Sequence, residues 1–211
     1  MRGQESGAMF EVETLSPEKR AVILAGAAEV FAQDGYEGAS MSRIAQQAGV
    51  SKGTLYNHFE SKAALFAAFV ESECARKLAH IFDIADQGDD PAVVLGAIAR
   101  RMLHLVLSPT GLIIYRVVIS EAGKFPELAR TFFECGPSRA IRHLADWLVR
   151  QTEAGRLAVD DPEFAAEQFF ALCQTRLCMR RKLQMLDDPD PAAIERVVAA
   201  TVAMFLNTYR A

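Results

Sequence analysis

The sequence lacks most of what would mark a membrane protein, a metalloprotein or a hydrolase. Its apolar runs are short: the stretch Ala63 to Val70 falls well below the roughly 18 residues a bilayer helix needs, which excludes a membrane span. The segment Met1 to Leu15 carries no apolar core and no small-residue cleavage pattern. It reads as a flexible arm over residues 1–15, consistent with a cytoplasmic protein. Cysteine is scarce, with 4 residues at 74, 135, 173 and 178, and none forms a metal-type CxxC pair. Reduced, buried thiols are therefore expected, with a redox role for Cys135, beside Gly136-Pro137, as the lesser alternative. No GxSxG elbow, phosphate loop or HExxH is found, and no polar cluster sets a nucleophile beside a base. These absences exclude the common enzyme classes and leave no cofactor or metal to expect. His143 and Asp146 stand three apart without a third ligand, and Asp187-Asp188-Pro189-Asp190 reads as a solvated loop. A net charge of −4 excludes coating of nucleic acid by bulk charge.

Helix signals fill the chain, and alternating strand patterns are nearly missing, so the fold class is all-α. Ser16-Pro17-Glu18 supplies an N-cap, a first-turn proline and an acid at the dipole, ahead of Leu24, Ala27, Ala28 and Phe31 at helical spacing. Gly35 closes that helix. A long helix is expected from about Lys62 to Ala85, and Gly88-Asp89-Asp90-Pro91 marks the next boundary. Val94, Leu95, Ile98, Met102, Leu105 and Val106 form a wide apolar stripe, and the stretch from Leu112 to Ile119 is apolar nearly all round. Phe125-Pro126-Glu127 opens a helix that runs to Gly155 with a kink at Gly136-Pro137. Asp161-Pro162-Glu163 caps one to about Leu186, and Asp190-Pro191 opens the last, to Tyr209.

The segment from Ile44 to Phe59 has the spacing of a helix-turn-helix. Two helices crossing steeply need a small residue at the crossing, a turn residue tolerant of left-handed dihedrals and an inward aliphatic. Ala45, Gly49 and Leu55 fill these roles, with Ile44 and Ala48 on the inner face and Val50 beneath the turn. Ser51 is placed to cap the second helix. Lys52, Thr54, Tyr56, Asn57 and His58 then face outward, able to meet phosphates, base edges and a thymine methyl. Gly53 lowers helix stability by roughly 1 kcal/mol relative to alanine. Either it is a loose helix start or the backbone there must come close to a DNA strand. From Arg43 to Lys62 the cations Arg43, Lys52 and Lys62 face Glu60 alone, so this face is locally positive despite the acidic total.

These residues resemble the TetR family of bacterial transcriptional repressors. The resemblance spans Pro17 to about Phe66, through Phe31-Ala32-Gln33-Asp34-Gly35-Tyr36, Ala39-Ser40-Met41-Ser42-Arg43-Ile44-Ala45, Gly49 to Phe59, and Ser61-Lys62 with Leu65-Phe66. It implies phosphate contacts from Ser40, Ser42, Arg43, Ser51, Tyr56, His58 and Lys62, and base contacts from Lys52, Gly53, Thr54 and Asn57. His58 has a second role open to it, pinning the recognition helix. Where the family commonly has Tyr-Tyr or Tyr-Trp before the histidine, this chain has Tyr56-Asn57, and Asn57 offers an adenine-type bidentate contact. The stretch Ile119 to Leu128 resembles the AefR-type subgroup. For Lys62, a cation at a helix start is unfavourable for the macrodipole, and an external anion would compensate it.

The expected organisation is the arm, a three-helix DNA-binding domain over residues 16–62, and a larger helical domain over residues 63–211 for ligand binding and dimerisation. The last two helices carry Phe164, Phe169, Leu172, Val197, Val198, Met204 and Phe205 on more than one side. Such helices need a second layer, either a twofold partner or a thick monomer core. By the resemblance they pair across a twofold, so a homodimer would read an inverted-repeat operator of double-stranded DNA. Met102, Leu103, Ile114, Tyr115, Val118, Phe133 and Trp147 are either plain core or the lining of a cavity for a small hydrophobic effector. The resemblance favours the cavity, and release from DNA on ligand binding. Arg116 and Glu121 orient such a ligand or bond to neighbouring helix ends. The basic cluster Arg176, Arg180, Arg181 and Lys182 is accounted for by a helix dipole and receives no site. An activator, or an architectural DNA binder, is the alternative within DNA binding.

Overall fold

The computed structural model describes residues 17–83 and 90–211, without the side chains of residues 79 and 80. The arm over residues 1–15, the Ser16 cap and the Gly88-Asp89 part of the turn lie outside the described residues. Eleven helices follow one another among the described residues: α1 (Pro17–Gly38), α2 (Met41–Gln47), α3 (Lys52–His58), α4 (Lys62–Phe82), α5 (Pro91–Leu107), α6 (Pro109–Glu121), α7 (Pro126–Cys135), α8 (Pro137–Glu153), α9 (Pro162–Cys173), α10 (Leu177–Lys182) and α11 (Pro191–Tyr209). The fold is all-α. No single helix among the described residues is long and apolar enough to cross a membrane.

Proline placement explains much of this order. Four helices begin with a capping side chain followed by proline: Asp90 accepts from the Ala92 amide (2.9 Å), Ser108 from Gly111 (3.1 Å), Asp161 from Phe164 (3.1 Å) and Asp190 from Ala192 (3.0 Å). Each cap satisfies an orphan helix donor, about 1 kcal/mol apiece, and proline fills a position whose own N–H would go unused. Between α5 and α6 the axis turns by 66°. That corner requires Gly111, where a Cβ would stand 2.3 Å from the Leu105 carbonyl oxygen.

Two boundaries differ from the sequence expectation. The segment read as one kinked helix from Phe125 to Gly155 is two helices, because Gly136 leaves helical dihedrals altogether (φ −110°, ψ −93°) and Pro137 starts a new first turn. The helix expected to continue to about Leu186 stops at Cys173. Thr175 turns its hydroxyl back to the Leu172 carbonyl (2.8 Å), and Arg176 takes a left-handed conformation (φ 63°) that redirects the chain into α10. A non-glycine residue there costs roughly 1–2 kcal/mol, so the surrounding packing holds it.

The apolar interior falls into two clusters. One joins α1 to α3 with the start of α4 (Leu65, Phe66, Phe69, Val70) and reaches Ile114, Val117 and Val118 of α6 and Leu128 of α7. Phe31 meets Phe66 edge-on at 5.0 Å, the centre of that cluster. The other unites α5, α8, α9, α10 and α11 with the later part of α4 (Leu78, Ile81). Helix α4 thus belongs to both halves, and the first apolar cluster extends past residue 62 through Val70 and onto α6.

Candidate nucleic-acid interface and effector cavity

The reading head is built by local rules. Ile44, Ala45 and Leu55 are buried, and Gly49 turns the chain at φ +66°. Ser40 caps α2 by accepting from the Arg43 amide (3.2 Å), and Ser51 caps α3 by accepting from Thr54 (3.0 Å) while sharing a bond with the Thr54 hydroxyl (2.8 Å). α1 crosses the end of α2 at Gly26, where a Cβ would sit 2.9 Å from the backbone nitrogen of Ala48. The sequence reading missed Gly26, since a glycine inside a helix carries no sign of the surface it touches.

With its inner face spent on packing, α3 leaves Lys52, Gly53, Tyr56 and Asn57 exposed, Thr54 and His58 half-buried, and Ser40, Ser42 and Ser51 exposed beside it. Tyr56 is 52% exposed, a large aromatic with no place in the core. Gly53 has room: the nearest atom to an added Cβ is the Ser51 hydroxyl at 3.8 Å, and its φ is ordinary. The fold itself therefore does not demand glycine there. Arg43 lies on the same side but is ion-paired with Asp34 and donates to the Gln33 side-chain oxygen (3.3 Å), both on α1.

Lys62 is engaged within the chain itself. Its ammonium donates to the carbonyls of Tyr36 (2.6 Å), Ala39 (3.0 Å) and Glu37 (3.4 Å) and lies over the Tyr36 ring at 4.5 Å. Helical geometry in α1 is interrupted by a kink at Gly35 (φ 70°, ψ 180°), and the carbonyls of the short turn that follows need donors. Lys62 supplies three, which accounts for its place without an external phosphate. Tyr36, beneath it, has its phenol pushed up by burial and then by the charges of Glu121 and Glu37.

A cavity of about 350 Å³ opens among α4 to α10, walled largely by apolar side chains. Met102, Ile114 and Tyr115 line it, as does Lys182, which the sequence reading had left to the helix dipole. Four of the expected lining residues lie elsewhere. Leu103 and Trp147 are enclosed in the second apolar cluster, Val118 packs in the first, and Phe133 is 53% exposed. In their place stand Leu105, Val106, Phe132, Ile141 and Phe170, together with Glu73, Lys77 and Glu167. Glu73 is paired with Arg76 (2.9 Å) and Lys77 (3.3 Å). Cys74 is also on the wall and meets Cys135, and the hydrogen bond between them pushes the Cys74 thiol up and draws that of Cys135 down. Cys135 is buried, not exposed by a kink. Burial pushes the Cys173 thiol up to about 12. Arg116 and Glu121 part company: Arg116 is exposed, while Glu121 is buried at the end of α6.

Of the residues expected at a dimer interface, Phe169, Val197, Val198 and Phe205 face the protein's own core, Leu172 is half-buried, and Phe164 and Met204 are exposed. Among the described residues no group of three or more His, Cys, Asp or Glu could hold a metal ion.

Residues 23–69 match the model of the bacterial regulatory proteins of the tetR family, and residues 93–211, more than half of the chain, match that of the AefR-like transcriptional repressor C-terminal domain. The chain belongs to the TetR family. It is similar over its length to a TetR-family regulator from Mesorhizobium loti MAFF303099 (29% identity, 94% of this chain and 100% of that one, TM-score 0.88). The flavonoid-responsive regulator FrrA is 34% identical over 92% of this chain and 98% of its own, with a TM-score of 0.75. The HTH-type transcriptional regulator UidR of Escherichia coli K12 is 39% identical over 71 residues, which are 34% of this chain and 36% of UidR. The match to UidR thus covers about a third of that protein. As a member of this family the chain is a DNA-binding transcriptional regulator and not an enzyme.

Proposed function

We propose that this TetR-family regulator is a repressor that reads an inverted-repeat operator as a homodimer and leaves DNA when a small hydrophobic effector enters the cavity. In this reading Lys52, Gly53, Thr54 and Asn57 face bases, while Ser40, Ser42, Arg43, Ser51, Tyr56 and His58 hold phosphates. Arg43 reaches a phosphate by exchanging its Asp34 partner. The exposed Phe164 and Met204, on α9 and α11, are the anchors of the dimer interface, with Leu172 beside them and the buried Phe169, Val197, Val198 and Phe205 supporting both helices from below.

The observation that carries the release mechanism is the double membership of α6. Ile114 lines the cavity and also packs in the apolar cluster of the reading head, together with Val117 and Val118. A ligand that moves α6 therefore changes how the head is seated. Its effect on DNA affinity equals its differential affinity for the two seatings. FrrA is named for a response to flavonoids, which supports a flat, largely apolar effector for this chain too.

Selection of a random duplex pool by the purified protein tests the operator, followed by footprinting and light scattering of the complex. We expect two protected half-sites about one helical turn, or a multiple of it, apart and a dimeric protein. Phe164→Asp with Met204→Asp should yield monomers that bind far more weakly. A monomeric wild type protecting a single half-site would overturn the reading.

A further inference from the structure

The charge of the effector can be read from one lysine, given the reading above that the cavity takes a regulatory ligand. The Lys182 ammonium lies 3.6 Å from the centre of the Tyr115 ring, and its polar partner is the Gln174 side-chain oxygen at a long 3.4 Å. Among the described residues no carboxylate is ion-paired with it. An ammonium held by a ring face and a stretched hydrogen bond keeps most of its capacity for an anion.

Its position gives that capacity a use. Tyr115, Gln174 and Lys182 are shared walls: they line the apolar inner cavity and also an outer groove between α6 and α10. The charged residues lining the groove are Arg116 and Lys182, both cations, amid exposed apolar side chains such as Ile119, Met179 and Leu183. On the inner side the acids are accounted for separately. Glu73 is paired within α4, and Glu167 stands on α9 with no ion pair to Lys182 among the described residues. A ligand filling both spaces would bury an apolar body inside and set its polar end between two cations.

We propose that the effector is a monoanionic amphiphile, an apolar body ending in a carboxylate or an equivalent acid group, and that Lys182 is the residue selecting for its charge. Binding exchanges the Lys182–Tyr115 contact for a charge-assisted hydrogen bond to the ligand. Because Tyr115 belongs to α6, that exchange frees the helix that seats the reading head, so charge recognition and release are one event.

Two matched pairs of probes test this at pH 7.5, one flexible and one flat: decanoate against 1-decanol, and 2-naphthoate against 2-naphthalenemethanol. Calorimetry on the full-length protein gives the ratio of acid to alcohol affinity for each pair. In the wild type we expect a ratio of about ten in favour of the acid, the size of one charge-assisted bond over a neutral one. Lys182→Met should bring the ratio to about one, and Lys182→Arg should restore it, with melting temperatures reporting that each variant folds. A wild-type ratio near one, or a preference that survives Lys182→Met, overturns the proposal. If alcohols and acids bind alike and both release DNA, the cavity reading stands while this one falls. If no probe of either pair binds, both fall.

Discussion

Helices α3 and α10 are both short and both rich in polar side chains, and the fold uses them in opposite ways. In α3 a serine cap, an inward leucine and the glycine turn before it account for the whole structural role, so Lys52, Tyr56 and Asn57 are left facing solvent. In α10 two of the three cations, Arg181 and Lys182, are drawn inward, while Arg180 stays exposed. Arg181 donates to the Leu186 carbonyl (3.1 Å) and to Asp188 (2.6 Å), and Lys182 lies on Tyr115. A cation held by short hydrogen bonds inside the chain, as Arg181 is, has little left for an outside partner, whereas Lys182, held by a ring face and a long 3.4 Å bond, keeps that capacity. Lys62 follows Arg181 in this respect, and Lys52 does not.

The largest effect should come from closing the one approach on which the reading face depends. Gly26→Leu drives a side chain into Ala48 and should destabilise the protein by about 3 kcal/mol while abolishing DNA binding. Thermal denaturation and a binding titration check both, and a variant as stable as wild type would mean that α1 and α2 are not held there. Next, Lys62→Met leaves three carbonyls without their donor and should cost about 2 kcal/mol. The salt dependence of DNA binding should stay as in wild type. A shallower salt slope at unchanged stability would move Lys62 to the phosphate-binding group and break the comparison.

A smaller effect with two opposite signs should follow from Gly53→Ala. There is space for the methyl group, so the helix gains up to about 1 kcal/mol. DNA affinity should fall, because the backbone at that point has to come close to the duplex. A gain in both would show that Gly53 is only a loose helix start. The smallest effect concerns Glu195, whose carboxyl is held below the usual range by its hydrogen bond from Arg100, tying α11 to α5. A lowered folded-state pKa adds stability that is present above the unfolded value and disappears as the pH falls through the folded one. Glu195→Gln should therefore slightly lower the urea midpoint at pH 7 and leave it unchanged near pH 2, both sites being well exposed.

The reading head was legible because its requirements are local. The positive φ at Gly49, the Ser51 cap and the burial of Ala45 and Leu55 follow from residue type and spacing across a few positions. The cavity was legible only in part. Periodicity says that Leu103, Ile114, Val118 and Trp147 point inward, but it cannot say whether inward means packed core or open space, and the structure divides them between the two. Phe133 shows a different limit, since the break at Gly136 resets the face that α7 presents. The place of Lys182 on the cavity wall was not legible, because Arg176 bends the chain at a non-glycine residue, which nothing in the residue type announces.

The central claim is that the outward side chains of α3 enter a major groove, twice, through a symmetric pair. Selection from a random duplex pool with wild type and Asn57→Ala, side by side, tests it most directly. The account predicts an inverted repeat for the wild type, and for the variant the same repeat with preference lost at one symmetric base pair in each half-site, a change of about 1–3 kcal/mol in discrimination. A wild type that enriches no inverted repeat, or a variant with an identical preference at every position, would contradict it.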